Sequence, residues 1–429
     1  MRKGLRLILK WLGITARILL ITFLVWIAIG SIAVWREKAA LRADGRPMTI
    51  EEMIPPEIPD QENSALLYNA AFEAIKQKTP LKLEGKLQHE DNLLSQLCAT
   101  ACDVNRNPSN SQAATNFGIL LGNPDVVKFL AAANDASKLP GYRQNIDYNS
   151  GPSTKIPHIA DNLALSQILR AKAVYLAQAG DFAAAWQTIE RSLNFSETLR
   201  HEPILTTQLV RNSQIVLAAD AIKKVAAISP PDSATSENLA KQLSALNLQS
   251  SLEVAYDGER VGVSDWLFSR PYWGLIGLIM SWDHAALLKI SREICQDVRR
   301  QPYGTGIVEF TDYTAKVPPY CILTRLMLPG VQSAGRSFTC TFGEAEVTRL
   351  GLAALRYKQE RGSFPADLQA LGAQNIIDPF AGKPFVYRPE GNGFVIYSLG
   401  PDATDNNGDK FDHKKQKGDI VWRYAEKAG

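Results

Sequence analysis

Between Arg17 and Arg36 stand eighteen residues without a charge, ILLITFLVWIAIGSIAVW. As a helix rising about 1.5 Å per residue, the run reaches about 27 Å, close to the thickness of a hydrocarbon core. Residues 18–35 are therefore expected to cross a membrane, with Trp35 near an interface. Arg2, Lys3, Arg6, Lys10 and Arg17 precede the run, which predicts a cytoplasmic N-terminus and an exported remainder. Arg36, Lys38 and Arg42 on the far side weaken this bias without reversing it. Ser31-Ile32-Ala33 has the small-x-small form of a cleavage site, so a removed signal peptide is the alternative. The long cationic region and the long apolar run favour an uncleaved anchor.

Residues 1–42 carry eight Lys/Arg against Glu37 alone, a net +7, and the remaining 387 residues net −4. The basic excess belongs to the membrane flank, so no nucleic-acid partner is expected. At 429 residues, 45% hydrophobic and 21% charged, the chain suits two or three folded domains. Its five cysteines are too few for a disulfide scaffold, and the odd count leaves one unpaired. Cys98 and Cys102 stand four apart in an expected helix, a geometry that disfavours a bridge. Cys321 and Cys340 are the pair that could join in an oxidising compartment.

Four prolines and four glutamates over residues 45–63 predict an extended linker that lifts the rest off the membrane. Helical spacing then dominates residues 64–337. NSALLYNAAFEAIKQ has an Asn/Ser start, and NPDVVKFLAAANDASKLP starts at Asn123-Pro124 and stops before Pro140. Two runs flank Gly180-Asp181, one marked by Leu165, Leu169, Val174 and Leu176, the other by Phe182, Trp186, Ile189 and Leu193. The hairpin resembles a tetratricopeptide-type helix pair at Ala173, Gly180, Phe182 and Ala185. A solenoid needs at least three stacked repeats, and with one convincing unit an ordinary helical hairpin is the simpler reading. ILTTQLVRNSQIVLAADAIKKVA and, after Pro230-Pro231, SENLAKQLSALN predict two further helices. The apolar stretch over residues 272–282 is too short to span a bilayer; a buried helix is expected, a membrane-surface contact being the alternative.

From Glu344 the pattern changes. EAEVTRLGLAALRYKQERGSFP predicts a helix ending at Gly362, with Pro365 just beyond. A hairpin follows, with strands over 385–388 and 394–399 and a five-residue turn over 389–393. An Asp-rich loop leads to a third strand, DIVWRY. The sequence Tyr357-Lys358, Gly362, Pro365, Asp378-Pro379, Ser398-Leu399-Gly400, Asp402, Asp419-Ile420 resembles the globular domain of the major pseudopilins of type II secretion systems. The resemblance covers roughly the last 85 residues. It implies a small α+β domain over 338–429 with an antiparallel sheet. The whole layout also resembles a group of bacterial membrane-anchored envelope proteins from which no function carries over. It implies a single-pass inner-membrane protein, with 1–44 as tail and anchor and the bulk periplasmic. One departure matters. Pseudopilins carry their membrane helix next to the globular domain, with Glu at the fifth mature position. Here the anchor lies about 300 residues away, and the fifth residue counted from Ile14 is Ile18. The chain is not expected to polymerise as a pilus subunit.

The loop collects Asp402, Asp405, Asp409, Asp412 and Asp419. Carboxylates so close repel unless a cation or solvent screens them, and oxygen-rich clusters suit Ca²⁺. No EF-hand fits: counted from Asp405, Lys410 stands where glycine is required and Gln416 fills the twelfth position. The pseudopilin resemblance implies a structural calcium loop, with Asp402 and Asp419 at matching positions. Asp405, Asp409 and Asp412 are candidates by proximity, and a solvated, metal-free loop is the alternative.

Other chemistry is sparse. His89, His158, His201, His284 and His413 are scattered without zinc spacing, and no GxSxG, Walker or dinucleotide motif occurs. Glu253 and Asp257, four apart on an expected helix, could act as acid and base in an exported hydrolase. The plainer reading is a helix-surface charge cluster with Arg260. The expectation is a non-enzymatic envelope protein with a structural or protein-interaction role and unidentified envelope partners. An accessory of a secretion or pilus-type machine is the third reading.

Overall fold

The computed structural model describes residues 2–83, 91–107, 110–269, 274–300, 313–412, 414–415 and 417–426. Its first element, α1 (Arg2–Ala43), contains the apolar run and is long and apolar enough to cross a membrane. Residues 9–25 are exposed, but from Trp26 onward one side of α1 is covered by the body. A Cβ on Gly30 would stand 2.2 Å from Ser281 Oγ and 2.9 Å from Trp282 Cδ1, so only glycine permits this approach. Glu37 pairs with Arg292 at 3.0 Å, and Leu41 is buried.

The expected linker is not a spacer. It contains a helical turn, α2 (Ile50–Met53), capped by Thr49. Ile50 is buried with Tyr148 and Val261, and Met53 and Ile54 pack beside them. The apolar residues between its prolines have a surface to cover, and the segment lies down on it.

The helical body follows as α3 (Ser64–Lys76), α4 (Leu93–Arg106), α5 (Ser111–Leu121), α6 (Pro124–Ala136), α7 (His158–Gln178), α8 (Phe182–Glu197), α9 (Leu205–Ala226), α10 (Ser233–Ser244), α11 (Leu248–Ser264), α12 (Gly274–Ile279), α13 (Ser281–Val298) and α14 (Tyr313–Lys316). Many starts are set by side-chain caps. Asn63, Asn92, Asn110, Asn123, Asp181, Asp232 and Asn247 each accept from a peptide N–H in the first turn they precede. The hairpin at Gly180-Asp181 forms as α7 and α8, and α9 packs against both. Tyr68, Phe72, Phe117, Phe129, Leu165 and Phe195 form one core among α3 to α8.

The last helix, α15 (Ile322–Arg361), is 40 residues long. The domain boundary expected at 337/338 falls inside it. α15 belongs to the body and the C-terminal sheet at once. Buried residues of α8, α9, α11, α13 and α15 run without a break into Phe394, Ile396, Trp422 and Tyr424 of the sheet. Gly351 makes the seam tight: a Cβ there would lie 2.0 Å from Trp422 Cε3. Cys321 and Cys340 are the N-cap and a mid-helix residue of this one helix, roughly 28 Å apart at 1.5 Å per residue. The bridge considered for them is geometrically closed, and all five cysteines are free.

Beyond α15, β1 (Ile377–Asp378) and β2 (Lys383–Pro384) form a two-stranded ladder. β3 (Val386–Glu390), β4 (Gly393–Ser398) and β5 (Ile420–Ala425) form the antiparallel sheet in the order β3-β4-β5. Glu390 pairs with Gly393, so the turn has two residues, Gly391 and Asn392, rather than the five expected. β4 is buried throughout as the central strand, with α15 packed against the sheet.

Candidate functional site

Glu253 and Asp257 stand on consecutive turns of α11, as their spacing predicts. Arg46 of the linker spans them, 2.6 Å from Glu253 and 2.9 Å from Asp257. Arg299 donates to the same Glu253 oxygen, Oε2, at 3.0 Å, and Arg260 holds the second oxygen of Asp257 at 2.9 Å. Arg260 also donates to the Pro47 carbonyl at 2.6 Å. Each carboxylate is thus held by two guanidinium groups, with the linker laid across them. Arg260 was legible as a neighbour. Arg46, more than 200 positions away in sequence, carried no signal.

Of the histidines, His89 and His413 lie outside the described residues. His158 is buried with its Nε2 3.0 Å from Glu202.

The Asp-rich loop divides its five carboxylates into distinct roles. Asp419 is fully buried. Its two oxygens accept from the Asn406 peptide at 3.3 Å and the Gly408 peptide at 2.7 Å. Burial pushes its carboxyl above the usual range, and the nearby Asp405 pushes in the same direction. Asp402 accepts from the peptides of Thr404 (3.0 Å) and Gly418 (3.1 Å) and from Asn406 Nδ2 (3.1 Å). Desolvation works against it, but those donors hold it below the usual range. Asn406 therefore ties Asp402 to Asp419, the two positions implied by the resemblance. Asp405 faces the Tyr397 hydroxyl at 3.0 Å, Asp412 caps the turn at Lys414, and Asp409 is exposed and offers its carbonyl to the Asp419 peptide at 2.7 Å. Among the described residues no three acidic, histidine or cysteine side chains converge as a metal-ligand group. A hard cation here would draw on Asp402, Asp419 and backbone carbonyls, not on all five aspartates. Asp419 is a buried carboxylate with a peptide donor on each oxygen and no ion pair among the described residues.

A second buried carboxylate explains the Asp-Pro and Ser-Leu-Gly motifs. Asp378 accepts from the Phe380 peptide (3.0 Å), Ser398 Oγ (2.8 Å) and the Leu399 peptide (2.9 Å). Burial raises its carboxyl above the usual range against those donors. It locks β1 to the end of β4, next to the loop.

Between the loop and the helical body lies a groove of about 590 Å³. Leu163 and Gln167 of α7, Asn212, Val216 and Leu217 of α9, and Cys340 and Thr341 of α15 form its helical walls. Pro401, Lys410, Phe411, Asp419, Ile420 and Val421 close it from the C-terminal side. Its volume is in the range of ligand sites, and its walls are mainly apolar. Val216 is 39% exposed within it. Lys223 pins the groove where three elements meet, 2.6 Å from Glu344 of α15 and 3.2 Å from the Val421 carbonyl of β5. Asn212 is buried, and neither its amide nitrogen nor its amide oxygen has a protein partner. Both are high-cost groups to leave unpaired. Nothing in the sequence marks Asn212 or the groove, because its walls come from residues up to 258 positions apart.

Comparison with protein-family models, with curated proteins and with solved structures returns no match.

Proposed function

We propose that the chain is a single-pass protein of the bacterial inner membrane, with its N-terminus in the cytoplasm and its body outside, and that it docks another envelope polypeptide without catalysing a reaction. The observation that carries this reading is the groove against the pseudopilin-like module. It is mainly apolar, borders a helix shared by body and module, and holds an unpaired buried amide in Asn212. An extended segment with apolar side chains would cover the walls of the groove, whose floor includes the buried Asn212. The tetratricopeptide-like hairpin of α7 and α8 fits the same role. Asp257 has a guanidinium group on each of its oxygens, which weighs against the hydrolase reading, since an acid and a base each need a face open to substrate.

Within this reading Ca²⁺ is a clasp between Asp402 and Asp419, stabilising the loop that forms one groove wall. The anchor stays uncleaved, because α1 beyond Trp26 is built into the body. The test is a photoreactive amino acid at Val216, an exposed position in the groove, irradiated in intact cell envelopes. A discrete adduct at Val216 that is absent from the same probe at Phe182 is expected. Identical, adduct-free patterns at both positions would sink the docking role.

A further inference from the structure

The charge-free run of α1 and the place where the body grips it do not fit a body standing clear of the bilayer. Residues 18–35 give about 27 Å of apolar helix, just enough to cross. The grip begins half-way along: Trp282 Nε1 donates to the Trp26 carbonyl at 3.0 Å, and Ser281 and Trp282 close on Gly30. Residues 18–25, the part free of the body, amount to about 12 Å. Lowering the helix to keep the body dry would draw Arg17 and Lys10 toward the bilayer interior, a costly place for a cation.

The body's surface at the level of Trp26 is built for the other solution. Leu278 and Ile279, which immediately precede the grip, are 49% and 43% exposed. Tyr320, Ile322 and Leu326 are 53%, 67% and 75% exposed. This patch is tied to the level of Trp26 by contacts. The Tyr320 ring lies 6.3 Å from those of both Trp26 and Trp282. The first turn of α15 is fixed at α13 by Asp283, whose carboxylate accepts from the Leu323 and Thr324 peptides at 2.9 Å each. Arg325, the cation in that turn, is folded back onto the carbonyls of Thr314 (2.9 Å) and Val317 (2.8 Å). The polar groups of this region are turned inward and its large apolar side chains outward, the reverse of a water-facing helix start.

We propose that α12 and the first turns of α15 are immersed in the outer leaflet beside α1, so that the body is seated in the bilayer and not held above it. The occupant of the patch is lipid, because the patch is continuous with the apolar helix. This rests on α1 being a membrane span. The aromatic cluster of Trp26, Trp282 and Tyr320 then lies within the membrane, and Arg36, Lys38 and Arg42 meet the headgroups.

The test is nitroxide labelling of Ile322→Cys and Leu326→Cys, one at a time, in the full chain with its native cysteines replaced. The protein is reconstituted in vesicles of phosphatidylethanolamine and phosphatidylglycerol. Leu20→Cys reports the span and Phe182→Cys the aqueous surface. All four positions are exposed, so the labels leave the cores intact. Collisional access is compared for oxygen, which concentrates in lipid, and for a water-soluble nickel complex. Labels at 322 and 326 are expected to favour oxygen several-fold and to group with Leu20→Cys. Labels that group with Phe182→Cys, or that are shielded from both relaxants by covering protein, overturn the proposal while leaving the anchor intact. If Leu20→Cys also behaves as aqueous, the membrane span itself fails.

Discussion

Asp419 has no exposed surface and no cationic partner among the described residues, so its charge state couples the loop to pH, and on the proposed calcium reading to metal as well. A carboxyl raised above its unfolded value, about 3.9 for Asp, favours the fold while protonated. That contribution is complete below the unfolded value and is lost as pH rises through the folded one. Asp378 acts in the same direction. Asp402, held low, contributes the opposite way, with stability present above the usual carboxylate range and lost on acidification. In chelator, the raised pair should therefore lower the melting temperature as pH rises from about 4 toward neutrality. Ca²⁺ at pH 7 should restore it, and Asp419→Asn should abolish the response to Ca²⁺ while flattening the pH dependence. A wild-type melting temperature indifferent to Ca²⁺ and chelator would remove the clasp.

At the scale of elements, the helix starts could be read because they are local. Asn63, Asn123 and Asp181 each precede an apolar-periodic run and cap the first turn themselves. The sheet was readable from short apolar runs set between turn residues, apart from a turn three residues too long. α15 was not. Its expected start near Glu344 lies 22 residues inside the helix. Pro329 and an exposed apolar face mask the first turns, and their cap is not local but comes from Asp283 on another helix. The groove and the Arg46 clasp escaped for the same reason: they are made by long-range contacts that no window of sequence contains. The remote cap can be tested. Asp283→Ala leaves the first peptides of α15 without their acceptor and should cost about 1–2 kcal/mol. It should also speed amide exchange at Leu323 and Thr324 selectively. Unchanged exchange there would show that the cap is dispensable.

For the whole molecule, the continuous core from α8 to Trp422 predicts that body and module unfold together. Far-ultraviolet circular dichroism, reporting mainly helix, and near-ultraviolet signals from the sheet aromatics should give coincident transitions. Gly351→Val, which forces a side chain into the Trp422 ring, should lower both together by an overpacking cost of about 1–3 kcal/mol. Two separated transitions would show that the C-terminal end folds as an independent domain.

The grip of the body on α1 has a mechanical consequence. Three contacts in series, Trp282 on Trp26, Arg292 on Glu37 and Arg46 on Asp257, leave no swivel between α1 and the body. On the proposed membrane reading, α1 works as a mast and not as a leash. The groove is carried at a fixed height and heading, about 22 Å or more along α15 from its first turn. A partner confined to the same membrane then searches in two dimensions, at one elevation. Lengthening the mast by one helical turn would carry the groove past a partner whose own surface is unchanged.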